Sequence, residues 1–91
     1  MASKAALKLL ERMKRSKAGW KRADLEQLYL GFGFVIDTKG GSHDKVSHPD
    51  FPEILPTSLP RHARIHVYLV VQAVKNVENL LKLEAEKEKS K

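Results

Sequence analysis

The stretch Lys39-Gly40-Gly41-Ser42-His43-Asp44-Lys45 holds the residue types most able to do chemistry in this chain. A glycine pair lets backbone approach a ligand closely, and its N–H groups can meet a phosphate oxygen. Ser42 adds a hydroxyl donor. Histidine is the side chain whose ordinary pKa lies nearest neutral pH, so His43 can take or give a proton there. RNA carries its own nucleophile, the 2′-hydroxyl. Cleavage without a metal then needs a base for that proton and groups that steady the phosphate charge. His43, with Lys39 and Lys45 nearby, meets that minimum. Taken alone, the same stretch also reads as an ordinary hairpin turn followed by an exposed histidine.

Other chemistries are poorly served. Four histidines, His43, His48, His62 and His66, raise zinc, and His62 and His66 are four apart as on a helix face. No cysteine joins them, and His62 follows Pro60-Arg61, which does not suit a helix. No metal or other cofactor is expected. Trp20, Tyr29, Phe32 and Phe34 could stack on bases, but their helical and strand periodicity marks them as core.

The elements that would position His43 follow from periodicity. Ala6, Leu9, Leu10 and Met13 recur at helical spacing within Ser3–Arg15. Leu25, Leu28, Tyr29 and Phe32 do the same from Arg22 to Leu30, and Gly31 and Gly33 then end the helix. Phe34–Thr38 alternates as a strand with Phe34 and Ile36 inward. Gly40-Gly41 suits a tight hairpin turn, and His43–His48 is the return strand. With Val46 inward, His43, Lys45 and Ser47 point outward and Asp44 inward. Pro49, Pro52, Pro56 and Pro60 restrict the next region to a loop with a short edge strand near Leu55–Leu59. A final helix runs from about His66 to Glu86, its stripe being Val67, Val70, Val71, Val74, Val77 and Leu81, with Leu80 beside it. Leu80 and Leu81 are candidates to reach a partner. Residues 84–91 are charged and expected to fray. The order closes as a small α+β two-layer domain: an antiparallel three-stranded sheet, helices on one face, and an extra N-terminal helix.

The chain has 91 residues, enough for one domain, and 42% hydrophobic content, ordinary for a folded chain. One core of this size leaves no room for a deep, enclosed active site, so any chemistry belongs on an exposed face or at an interface. The absence of cysteine excludes disulfide scaffolds and thiolate metal sites. No apolar run approaches a membrane span, and the charged N-terminus lacks a signal core, so a cytoplasmic location is expected. The net charge of +6 is uneven: Lys4, Lys8, Arg12, Lys14, Arg15, Lys17, Lys21 and Arg22 face only Glu11 in the first 22 residues. Such a block attracts a polyanion without regard to its sequence, though it can equally be a solvated helix face.

The ordered set Trp20, Leu25, Leu28, Gly33-Phe34, Gly41-Ser42-His43, His48-Pro49, Leu59-Pro60-Arg61-His62 and Tyr68 resembles the HicA toxin family over about residues 20–82. The resemblance implies a fold like the double-stranded-RNA-binding domain (helix, three strands, helix), ribosome-independent cleavage of mRNA, and neutralisation by a HicB-type antitoxin. It also implies that His43 is the catalytic residue. On this reading residues 1–19 are a basic helix and linker, 20–83 the HicA-like domain and 84–91 a charged tail. Lys39, Gly41, Ser42, Lys45 and Arg61 are the RNA-binding candidates. His48 and Arg61-His62 match flanking family positions and receive no catalytic role. The chain departs from the family in lacking a basic residue on the strand before Gly41-Ser42-His43, which ends Asp37-Thr38-Lys39. Asp37 and Asp44 would also repel a phosphate at short range.

The expected function is therefore an endoribonuclease toxin of a type II toxin–antitoxin system. It would be a monomer alone, or a hetero-oligomer with its antitoxin, with RNA as substrate and no membrane partner. Two alternatives are a non-catalytic RNA-binding module of the same fold and a protein–protein adaptor. Binding that falls steeply with salt would separate the first from the second.

Overall fold

A computed structural model describes residues 3–38, 43–60 and 65–89. Lys39, Gly40, Gly41 and Ser42, and with them the expected turn, lie outside the described residues, as do Arg61 and His62.

Helix α1 spans Lys4–Arg15. Ser3 caps it, its Oγ accepting from the Ala6 N–H at 3.2 Å. Arg12, Lys14 and Arg15 fill the last turn, where cations oppose the negative end of the helix dipole. Ala6, Leu10 and Met13 are buried and Leu9 partly so. Trp20 then packs half-buried against the core, its Nε1 donating to the Ser16 carbonyl at 2.8 Å with the Arg12 guanidinium 5.2 Å from its ring centre.

Helix α2 spans Arg22–Gly31. Asp24 accepts the Lys21 N–H at 2.9 Å, which satisfies a donor ahead of the first turn. Leu25, Leu28, Tyr29 and Phe32 are all buried, as their spacing predicts. The helix stops because Gly33 takes φ +86°. Phe34 N–H then donates to Tyr29 O at 3.0 Å and Gly33 N–H to Leu30 O at 3.1 Å, the pairing of a Schellman ending.

The sheet is a meander of β1 (Val35–Asp37), β2 (His43–Ser47) and β3 (Thr57–Pro60), in that spatial order and antiparallel throughout. Its registers align Ile36 with Val46, Asp37 with Lys45, and His43 with Pro60. Phe34, Asp44, Val46 and Leu59 face the core while Val35, Asp37, His43, Lys45 and Ser58 are exposed. The third strand, expected near Leu55–Leu59, starts after Pro56. Its edge position tolerates Pro60, which has no N–H to donate.

Helix α3 spans Val67–Lys89. Its inward stripe is Leu69, Val70, Ala73, Val74, Val77 and Leu80. This corrects the expected stripe: Val67 and Leu81 are exposed, and Leu80 is wholly in the core rather than available to a partner. Val67 stands in the first turn, ahead of the contact with the rest of the protein. The segment from residue 84, expected to fray, is helical as far as Lys89. Acidic and basic residues three and four apart there, such as Glu84 with Lys87 and Lys82 with Glu86, can support a helix by side-chain pairing.

The result is a small α+β domain with helices on one face of the sheet. α1 packs on both α2 and α3 and shares one core with them. Among the described residues, no helix is long and apolar enough to cross a membrane.

Candidate functional site

Alternation along β2 decides where the chemistry-bearing residues go. His43 opens the strand on its exposed face and Lys45 follows on the same face, while Asp44 and Val46 turn inward. Across the ladder Lys45 sits opposite Ser58 on β3 and Asp37 on β1. Asp37 therefore brings a carboxylate beside the lysine on the outer face, which lowers what that lysine alone offers a phosphate.

Asp44 does not face a ligand. Its side chain is 1% exposed and paired with Arg22 from α2. The same guanidinium donates from Nε to Glu26 at 2.9 Å and from Nη1 to the Pro60 carbonyl at 3.3 Å. Its pKa is raised above the ordinary value: burial works against the charge, but the bonds and attraction of Asp44 and Glu26 outweigh it. Arg22 is thus spent inside the molecule and leaves the basic block that the sequence suggests. Lys14, another member, lies between Glu11 at 3.7 Å and Glu78 of α3 at 3.5 Å.

His43 lines an open groove of about 800 Å³ along the β3 side of the sheet. Thr57, Ser58 and Pro60 of β3 form one wall, Leu69, Gln72, Asn76 and Asn79 of α3 another, and Glu53–Pro56 close one end. The floor is polar and fixed. Asn76 donates from Nδ2 to Thr57 Oγ1 at 2.9 Å and to the Tyr29 hydroxyl at 3.2 Å, and its Oδ1 accepts from Gln72 Nε2 at 3.3 Å. Burial pushes the Tyr29 phenol up, with the Asn76 bond opposing. Tyr29, buried behind Asn76, is therefore neutral.

Two further groove residues come from the entry to α3. His66 is exposed, and its ring stacks on Tyr68 with centroids 5.8 Å apart and planes 13° apart. In the sequence His66 stands out only as one of four histidines and as the start of the last helix, and Tyr68 only within the family likeness. The signal that could have found them is local. Both precede or open the apolar stripe of α3, where a side chain has no core to enter.

No family model, curated protein or solved structure matches this chain. What the site can do follows from its geometry. It offers two exposed imidazoles, hydroxyls at Thr57 and Ser58, amides from α3, one exposed tyrosine and the carboxylate of Glu53. That set suits proton transfer at an extended polar ligand. Among the described residues, no group of three or more His, Cys, Asp or Glu could hold a metal ion.

His48 is not part of the groove. It is 7% exposed. Asp50 N–H donates to its Nδ1 at 3.2 Å, so Nε2 carries the proton and donates to the Phe32 carbonyl at 3.2 Å. The ring packs edge-on between Phe34 and Phe51. It ties the end of α2 to the turn after β2. Of the RNA-binding candidates only Lys45 falls within the described residues; Lys39, Gly41, Ser42 and Arg61 lie outside them.

Proposed function

We propose that this chain is a metal-independent endoribonuclease of the mRNA-interferase kind, the toxin of a type II pair, acting in the cytoplasm and held in check by a HicB-like antitoxin. The observation that carries the reading is the place of His43: exposed on β2 and lining an open groove with hydroxyl and amide donors. In this reading His43 moves the proton of the attacking 2′-hydroxyl. Lys45, with Lys39, Gly41, Ser42 and Arg61, holds the scissile and flanking phosphates. An antitoxin would act by covering His43. The family likeness of Gly41-Ser42-His43 supports the same assignment.

A non-catalytic RNA-binding module is favoured by one observation. Glu53 in the groove and Asp37 beside Lys45 place negative charge where a phosphate would lie. The two readings separate in one experiment. The full chain is incubated with single-stranded RNA in EDTA, beside His43→Ala. Cleavage that disappears in the variant while RNA is still bound supports the nuclease. RNA bound intact by the unaltered chain supports the module and ends the nuclease reading.

A further inference from the structure

Cutting RNA by its own 2′-hydroxyl needs two proton transfers at two different oxygens. One group removes the proton of the nucleophile, and a second gives a proton to the departing 5′-oxygen. A lone histidine can serve only one of these at a time. Sequence reasoning left the second position empty. In the structure His43 shares its groove with another imidazole, His66, which immediately precedes α3.

We propose that His66 is a second catalytic residue, the general acid that protonates the leaving group. This rests on reading the groove as an RNA-cleaving site. Three observations place His66 in the role. It lines the same open groove as His43, with Ser58 and Pro60 of β3 among the shared lining. Its ring is exposed but oriented, being stacked nearly parallel on Tyr68. Its backbone is fixed at the start of α3, where the His66 carbonyl accepts from Leu69 N–H at 3.0 Å. Oriented side chains on a rigid element are what proton transfer requires.

The step balances without a co-reactant. His43 takes the 2′-hydroxyl proton as the 2′-oxygen bonds to phosphorus. The bond from phosphorus to the 5′-oxygen breaks, and the His66 imidazolium gives its proton to that oxygen. The products are a 2′,3′-cyclic phosphate and a 5′-hydroxyl. The proton gained by His43 and the one lost by His66 are exchanged with water.

The test uses two substrates. One is ordinary single-stranded RNA. The other carries sulfur in place of the bridging 5′-oxygen at the cleaved linkage, a leaving group that departs without protonation. On ordinary RNA, His66→Ala and His66→Gln should each slow cleavage by about 10²–10⁴-fold, the usual worth of a positioned proton-transfer group. On the sulfur substrate the same variants should fall within about tenfold of the unaltered protein. His43→Ala should be slow on both. Ordinary cleavage by the His66 variants would overturn the inference and leave the nuclease reading intact. Equal loss on both substrates would also overturn it, assigning His66 to structure or binding. No cleavage of either substrate by the unaltered protein would sink the nuclease reading and the inference with it.

Discussion

Arg22 reaches from α2 to Asp44 with Nη2 and to the Pro60 carbonyl with Nη1, and these two residues are the neighbours of His43 in sequence and across the ladder. A single guanidinium thereby fixes the start of β2 and the end of β3, the two strands that set where His43 stands. The acidic residue that seemed to threaten phosphate binding is neutralised on the other face of the sheet.

Removing Arg22 takes its guanidinium away from the buried Asp44 carboxylate, and removing Asp44 takes one of three acceptors from Arg22. Arg22→Met should cost about 3 kcal/mol, the low end for a broken buried pair, and Asp44→Ala less, about 1–2 kcal/mol, because Arg22 keeps Glu26, the Pro60 carbonyl and some contact with solvent. The urea midpoint should drop with unchanged slope. The double variant should be less damaging than the sum. A loss below about 0.5 kcal/mol for Asp44→Ala would show that the pair is solvated and positions nothing.

Lys45 stands on the exposed face beside His43. Lys45→Ala should weaken RNA binding to a similar degree for every sequence and reduce the slope of log affinity against log salt by about 1. Affinities titrated at several salt concentrations give that slope. An unaltered slope would remove Lys45 from the phosphate contacts.

Tyr29 gives an alkaline signature. Its phenol is held neutral by burial, with a pKa above the ordinary 10.0. Below that value native and unfolded chains hold the same proton, so this stability is fully present. Above it the unfolded chain sheds the proton first, and stability falls by at most about 1.4 kcal/mol per pH unit until the native group also ionises. Tyr29→Phe should flatten that decline when urea midpoints are followed from about pH 8 to about pH 11. The variant keeps the Asn76–Thr57 bond, so its stability near neutral pH should change by less than about 1 kcal/mol.

Gly31 marks the crossing of α1 and α2. A Cβ there would lie 2.6 Å from the Ala6 Cβ, which is fixed to the α1 backbone. Gly31→Ala should therefore destabilise by about 1–3 kcal/mol, although alanine is the better helix former by about 1 kcal/mol. Ala6→Gly in the same chain should recover part of the loss in thermal melts. A more stable Gly31→Ala protein would mean that the two helices can separate without penalty.

Much of the fold was legible because each element carries its own period. Leu25, Leu28, Tyr29 and Phe32 announce a helix face, and Val46 between His43 and His48 announces which side of β2 is wet. The end of α3 was harder. The residues from Glu84 onward carry no apolar face, so their helicity depends on propensity and charge pairing, which pattern reading underweights. Of the residues lining the groove, only His43 stands out in the sequence as a candidate for chemistry. Arg22 looked like one more surface cation because its partner Asp44 is 22 residues away. His66 and Tyr68 share a groove with His43 only in the tertiary structure, which no local spacing encodes.

One helix here is at once cohesive and cationic. Met13 is sealed inside while Arg12, Lys14 and Arg15 on either side of it face water. An anion that bound this outer side more tightly in the folded helix than in the unfolded chain would hold α1 in its folded place, linking capture to folding. Each tenfold excess of such an anion over its dissociation constant would then add about 1.4 kcal/mol to the native state. A chain shortened to begin at residue 20 would lose both the cover over its helices and this gain.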